Sequence, residues 1–345
     1  MLPEKYKALT DSESRQIIRT AKKKLGDKIF ILAHHYQRDE IVEIADATGD
    51  SLKLSKIAAQ TKSPFIIFCG VHFMAETADI INEGKKTIIL PDINAGCPMA
   101  DMAKLEEVEK VWEKIKSPGL IPVTYINSTA DIKAFCGRNK GYVCTSSNAE
   151  SILDFLYNNG KKVLFMPDKN LGFNISRKLG IKKKDICLPE ESKINKHAKL
   201  FLWNGYCPVH VRFKSDDIDM LRKNTPEIKI IVHPEVSEEV AKKADLIGST
   251  EFIVKTIESA EKGSKWAIGT EVHLVNRLAK NNPDKQIRLL SGPVCMCSMM
   301  DRTSPQHVAY VLDSLLQGKV VNRVQVKPDI AKEALSAIKR MIELP

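Results

Sequence analysis

Short apolar runs recur along the chain, and amphipathic stretches separate them. The runs at Ile29–Ala33, Phe65–Cys69, Thr87–Leu90, Leu120–Tyr125, Gly141–Cys144, Lys162–Met166, Ile228–Val232, Ala244–Ile247 and Lys265–Ile268 predict strands. Most are largely apolar and do not alternate, the pattern of parallel strands covered on both faces. A helical period follows most of them, as in Glu40–Ala47 and Asn148–Leu156. Strand and helix in alternation predict an α/β fold with parallel sheets, layered helix on sheet on helix.

The pattern repeats along the chain. Three times a run ends in a polar residue and enters a helix: His34 before Glu40–Ala47, Asn127 before Ala130–Phe135, and His233-Pro234-Glu235 before Glu238–Ala244. Three times a second run ends in small or hydroxyl residues, at Cys69-Gly70-Val71-His72, Cys144-Thr145-Ser146-Ser147 and Gly248-Ser249-Thr250-Glu251. A third run ends at Pro91-Asp92, Pro167-Asp168 or Gly269-Thr270-Glu271. The gaps between second and third ends are 21, 22 and 21 residues (Gly70 to Pro91, Thr145 to Pro167, Ser249 to Thr270). Three pseudo-threefold-related α/β units are therefore expected over 1–95, 96–205 and 206–345, the last with a C-terminal helix. No low-complexity linker separates them, so they are expected to pack around one central site.

Composition narrows the function classes. With 43% apolar and 28% charged residues, the 345-residue chain is neither disordered, collagenous nor a coiled coil. Eight cysteines are too few for a disulfide scaffold. No apolar run approaches the roughly 18–20 residues of a membrane span. The start, Met1-Leu2-Pro3-Glu4-Lys5-Tyr6-Lys7, has no apolar core of a secretion signal, so a cytoplasmic chain with reduced thiols is expected. Lysine plus arginine exceed aspartate plus glutamate by 53 − 43 = +10, which suits nucleic acid or small acidic substrates. The basic residues are spread out, aromatics make up only 6%, and no nucleic-acid-binding motif is present. Neither nucleic acid nor membrane is an expected partner.

In parallel α/β units, ligands bind beyond the carboxyl ends of the strands. His34, His35, Tyr36, His72, Asn127, Ser146, Asp168, His233, Glu235, Thr270 and Glu271 all stand just after apolar runs. Any one of them alone reads as a turn or cap residue. Three equivalent units facing one another would make them a pocket. Gly49-Asp50-Ser51, Ser146-Ser147-Asn148 and Gly248-Ser249-Thr250 would offer hydroxyls and N–H groups at helix starts, which suits phosphate or carboxylate as well as plain capping. No phosphate loop with Gly-Lys-Ser/Thr occurs.

The cysteines fall into two groups. Cys69, Cys136, Cys144 and Cys187 lie in ordinary strand or helix sequence and read as small core residues. Cys97, Cys207, Cys295 and Cys297 lie in Gly/Pro-rich loops, one loop after each unit. Zinc sites usually close with four ligands, often through Cys-x-x-Cys pairs, and none is present. Three separated thiolates near carboxylates and imidazoles fit an iron–sulfur cluster with one iron left open. A zinc-dependent lyase or aldolase acting on a sugar phosphate is the alternative; it leaves the three loop cysteines idle.

Several longer strings are specific. They are Ala33-His34-His35-Tyr36-Gln37-Arg38, Ala45-Asp46-Ala47-Thr48-Gly49-Asp50-Ser51-Leu52, Gly70-Val71-His72-Phe73-Met74-Ala75-Glu76-Thr77-Ala78 and Ala95-Gly96-Cys97. Further on come Tyr125-Ile126-Asn127-Ser128, Met166-Pro167-Asp168-Lys169-Asn170-Leu171-Gly172, Gly205-Tyr206-Cys207-Pro208-Val209-His210, His233-Pro234-Glu235 and Gly269-Thr270-Glu271. Together, from about Ile29 to Arg302, they resemble the quinolinate synthase family of de novo NAD biosynthesis.

The resemblance implies three α/β domains around one 4Fe-4S cluster. It implies condensation of iminoaspartate with dihydroxyacetone phosphate to quinolinate, with loss of phosphate and two waters. The implied cluster ligands are Cys97, Cys207 and Cys297. Cys297 is preferred over Cys295 because it stands three residues before Met300, as the family's last ligand stands before a Met. Asp301 then occupies a place where many relatives carry a basic or small residue. The implied substrate residues are His34, Tyr36, Ser51, Tyr125, Asn127, Ser146, His210, His233, Glu235, Ser249 and Thr250, while His35 is expected to point away. Glu235, paired with His233, is the candidate base. Tyr36 and His34 are the candidates for moving protons at the leaving hydroxyl, and Tyr125 for orienting the intermediate at the open iron. An L-aspartate-oxidising enzyme that supplies iminoaspartate is a candidate transient partner.

Overall fold

In the computed structural model, residues 2–189, 194–195, 197–291 and 295–343 are described, and fourteen strands among them form three sheets. The first sheet holds β1 (Ile29–His34), β2 (Ala47–Gly49), β3 (Phe65–Cys69) and β4 (Thr87–Ile89). The second holds β5 (Leu120–Tyr125), β6 (Tyr142–Cys144), β7 (Lys162–Met166), β8 (Ile186–Cys187) and β9 (Leu200–Leu202). The third holds β10 (Lys229–Val232), β11 (Leu246–Ile247), β12 (Lys265–Gly269) and β13 (Gln286–Leu289). The last strand, β14 (Arg323–Val324), returns to the first sheet and pairs antiparallel with β4; every other pairing is parallel.

One topology is used three times. The strand orders are β2-β1-β3-β4, β6-β5-β7-β9 and β11-β10-β12-β13, with β8 added outside β9 and β14 outside β4. Parallel neighbours need a crossover, and here the crossovers are helices of one length. Ser51–Gln60, Ala149–Asn158 and Thr250–Ser259 lead into β3, β7 and β12, and each has 10 residues. His72–Ile81, Lys169–Lys178 and Val272–Asn281 lead out of the same strands, and each again has 10 residues. A helix of that length spans about 15 Å, close to the reach of a five-residue strand. In the first module, helices Asp11–Leu25 and Pro305–Leu316 cover one face of the sheet. Ile18, Ala21, Val308 and Leu312 bury Ile31, Ala33, Ile67 and Ile89 there.

Three expectations change. Glu40–Ala47 is not one helix: Asp39–Val42 makes a single turn, and the chain then becomes β2. Asp46 explains the switch. Its N–H donates to Ile31 O (2.8 Å) while its carboxylate accepts from Ile31 N–H (2.8 Å), which docks the following residues beside β1. Asp245 does the same to Ile230 before β11, with bonds of 2.9 and 2.7 Å, so that strand starts after the expected Ala244. Recognising β2 also shifts the repeat. Gly49, not Gly70, corresponds to the ends of β6 and β11, and Cys69-Gly70-Val71-His72 corresponds to the ends of β7 and β12.

The chain divides into two compact units, residues 1–97 with 297–332 and residues 98–296 with 333–345. The first contains the first sheet, and the second contains the other two. No helix of the described residues is long and apolar enough to cross a membrane.

Candidate active site

In the second unit, polar groups gather around one carboxylate. Glu235 follows β10 and is buried, with Oε2 2.8 Å from His210 Nδ1 and Oε1 3.8 Å from His233 Nδ1. The two imidazoles stack at 4.6 Å between centroids and 26° between planes. His210 Nε2 lies 3.2 Å from Thr270 Oγ1 at the end of β12. The Tyr125 hydroxyl, at the end of β5, also hydrogen-bonds Glu235. The turn itself is held from behind by Asn174, whose Nδ2 donates to Pro234 O (2.9 Å) and Val236 O (2.8 Å).

Burial opposes the ionised form of Glu235, but the His233 and His210 imidazoles and hydrogen bonds from His210 and Tyr125 outweigh it. They hold the carboxyl below its ordinary range. Burial is also the main effect on His233, pushing it down to about 3 against the pull of Glu235, so the ring is neutral at neutral pH. Asp168 is raised by burial first and by the charge of Glu235 second, despite N–H donors from Leu171, Asn170 and Cys207. Buried His233 Nδ1 and Asn127 Oδ1 have no hydrogen-bond partner among the described residues. Such atoms are costly unless something satisfies them, and a polar ligand would.

In the first unit, His34 ends β1 and its ring meets Tyr36 edge to face at 4.7 Å. Tyr36 N–H donates to His34 Nδ1 (3.1 Å), which fixes the tight turn between them. His35 N–H is bonded to Gly49 O (3.1 Å) beside β2. Ser51 is buried in the first turn of its helix, just after Asp50, whose carboxylate caps Lys53 N–H (2.8 Å). In the second unit, Ser249 caps its helix through Phe252 N–H (3.3 Å), and Thr250 is buried beside it. Ser146 is half-buried in a turn closed by Asn148 Oδ1 on Thr145 N–H (2.7 Å). Asp50 and Ser249 thus cap their helices with their own side chains, whereas Asn148 turns its amide back to Thr145 and leaves its helix start without a side-chain cap.

The cysteine loops repeat one backbone device. The first residue of each helix that leaves β3, β7 and β12 donates its N–H to the next loop: His72 to Ala95 O (2.7 Å), Lys169 to Gly205 O (2.9 Å), Val272 to Cys295 O (3.1 Å). The three acceptors stand two residues before Cys97, Cys207 and Cys297. Cys295 therefore occupies the place of Ala95 and Gly205. Its side chain is buried 3.6 Å from Ser291 Oγ, and burial pushes its thiol pKa up. Gly205 is required where it is, since a Cβ there would lie 2.4 Å from Pro167 O. Cys207 is further tied down by its N–H on Asp168 Oδ2 (3.0 Å).

The donor chemistry fits a cluster. Cys97, Cys207 and Cys297 are half-buried, and none of the eight cysteines is in a disulfide. Cys69, Cys136 and Cys144 are fully buried in strands and a helix, where burial raises their thiols far above the usual range and keeps them as packing residues. Cys187 is likewise buried, in β8. One smaller set is also notable: Cys207, His210 and Glu235 offer ligand atoms within 4.8 Å of one another.

Comparison with known proteins gives a consistent family. The family model described as "Quinolinate synthetase A protein" matches residues 16–343. The chain is 48% identical to a quinolinate synthase of Nocardioides sp., covering 95% of this chain and 88% of that one. It is 45% identical to the quinolinate synthase of Halalkalibacterium halodurans, covering 99% and 96%. It is 46% identical to that of Streptomyces coelicolor, covering 95% and 87%.

Proposed function

This chain belongs to the quinolinate synthase family, enzymes of NAD biosynthesis, and on that premise we propose that it condenses iminoaspartate with dihydroxyacetone phosphate. The products are quinolinate, one phosphate and two waters, and the atoms balance without oxidant or reductant. In this reading Cys97, Cys207 and Cys297 hold a 4Fe-4S cluster. When bound, such a cluster supplies a Lewis-acidic iron with one open position. A reducing compartment such as the cytoplasm suits thiol ligands of this kind.

The chain's own groups divide the remaining work. Ser51, Ser146, Ser249, Thr250 and Asn127 bind the phosphate and carboxylates through hydroxyl, amide and helix-start N–H groups. Glu235, ionised between two imidazoles, takes the protons that leave carbon during condensation and ring closure. His210 and neutral His233 flank that carboxylate, His210 holding it most closely, and His233 also meets the substrate. His34 and Tyr36 move a proton at the departing hydroxyl, and Tyr125 orients the intermediate. An L-aspartate-oxidising enzyme would supply iminoaspartate, whose instability in water favours close coupling.

The supporting observation is the threefold backbone clamp, which gives each of the three modules one cysteine at the same position. The test is product formation: anaerobic, iron-loaded protein is mixed with dihydroxyacetone phosphate and iminoaspartate made in place from L-aspartate. Quinolinate in the mass spectrum is expected; iron- and sulfide-replete protein that forms none would reject the reading. The Cys207, His210 and Glu235 set favours a second reading, a zinc lyase on a sugar phosphate, since three ligands and an open place suit catalytic zinc. It gives Cys97 and Cys297 no role.

A further inference from the structure

Within the unit made of residues 1–97 and 297–332, the segment after Cys297 is bound to the turn after β1. Cys297 precedes a helix of four residues, Ser298–Asp301, closed by Asp301 N–H on Cys297 O (3.0 Å). A single turn is far below the length at which a helix holds itself, so its orientation must come from neighbours. Those neighbours are specific. Gln37 Nε2, fully buried, donates to Met300 O (2.9 Å). The Arg38 guanidinium donates to both Asp301 O (2.8 Å) and Asp301 Oδ1 (2.6 Å). Arg302 Nε donates to Asp92 Oδ2 (2.7 Å), and Asp92 Oδ1 accepts Asn94 N–H (3.0 Å) in the loop that runs on to Cys97.

We propose that Arg38 and Asp301 are a positioning pair that fixes Cys297 against the His34–Tyr36 turn, assisted by Gln37 and Asp92. Gln37 and Arg38 follow Tyr36 directly in the chain, and the short helix follows Cys297 directly. Both bonds leave one guanidinium nitrogen, Arg38 Nη2, for the carbonyl and the carboxylate of one residue, a charge-assisted and geometrically exacting contact. At roughly a quarter to a third exposure, the ion pair alone adds little stability. Its role is orientation: it makes the Tyr36 turn and the Cys297 segment one rigid piece. This rests on the cluster assignment above, with Cys297 as ligand.

The test uses the iron-loaded holoenzyme and four variants: Arg38→Ala, Asp301→Ala, the double alanine variant, and the charge-swapped Arg38→Asp/Asp301→Arg. The readout is the rate at which visible cluster absorbance is lost to a chelator, with the melting curve of cluster-free protein alongside. Each single variant is expected to lose its cluster about tenfold faster, the size usual for partners that support metal ligands. The double variant should be no worse than the worse single, because both remove one interaction. The swapped protein should recover most of the wild-type rate. Single variants with the wild-type rate would overturn the pairing. So would additive losses, a swap without recovery, or a fall in cluster-free melting large enough to account for the loss. Wild-type protein without iron and sulfide would instead overturn the cluster assignment itself.

Discussion

His210 and His233 lie ring on ring at 4.6 Å, and each turns its Nδ1 toward a different oxygen of Glu235. His210 belongs to the loop after β9 and His233 to the end of β10, so two modules of one unit supply a single carboxylate with its surroundings. Both rings are almost fully buried, and a carboxylate ionised at that depth needs these partners.

Glu235→Gln keeps the shape and removes the base. Turnover should fall about 10²–10⁴-fold, the usual worth of a general base. Iron and sulfide content should stay at the wild-type value. Steady-state assay beside metal analysis checks both, and a Glu235→Gln enzyme at wild-type rate would remove Glu235 from the chemistry.

His233 makes stability depend on pH. Burial lowers its folded pKa to about 3, against about 6.5 in an unfolded chain. Between those values the unfolded state binds a proton that the folded state does not. Stability is therefore full above about pH 6.5 and is lost as pH falls toward 3, at up to about 1.4 kcal/mol per unit. Urea unfolding of cluster-free protein from pH 7 to pH 4 should show this slope, and His233→Asn should flatten it. Equal slopes in the two proteins would contradict the assignment.

Asp168 joins two jobs in one side chain: Oδ1 caps Leu171 N–H (2.8 Å) and Oδ2 receives Cys207 N–H (3.0 Å). Asp168→Asn must turn an amide NH2 toward one of those donors. A loss of about 1–3 kcal/mol follows from the unsatisfied group. The Cys207 loop should loosen with it, so chelators should strip the variant faster than wild type. Unchanged unfolding and unchanged iron release would show that Cys207 is positioned without it.

Long apolar strands were legible in the chain. Phe65–Cys69, Leu120–Tyr125 and Lys162–Met166 match to the residue, because burial on both faces leaves no polar alternation to misplace their ends. Strands β2, β8 and β14 are two or three residues long and β13 (Gln-Ile-Arg-Leu) is half polar, so none of these stands out as an apolar run; β9 (Leu-Phe-Leu, followed by Trp203) is wholly apolar and was legible, though it is not among the expected strands. Missing β2 shifted the first repeat by a strand. At the site, the strand-end residues were readable by position, and so was the pairing of Glu235 with His233 two residues before it, but the contacts between distant loops were not. That Thr270 meets His210 is a tertiary fact with no local signal. Asn174 was missed because it lies inside a helix; its only trace is an amide between the buried positions Leu171 and Ile175.

The most direct measurement is iron and acid-labile sulfide in anaerobically purified protein, for wild type and for Cys97→Ser, Cys207→Ser, Cys295→Ser and Cys297→Ser. About four irons and four sulfides are expected in wild type and in Cys295→Ser, whose carbonyl and not its thiol holds the loop. The other three variants should lose them. Stoichiometric zinc without sulfide, or a cluster that survives Cys297→Ser and fails in Cys295→Ser, would contradict the account.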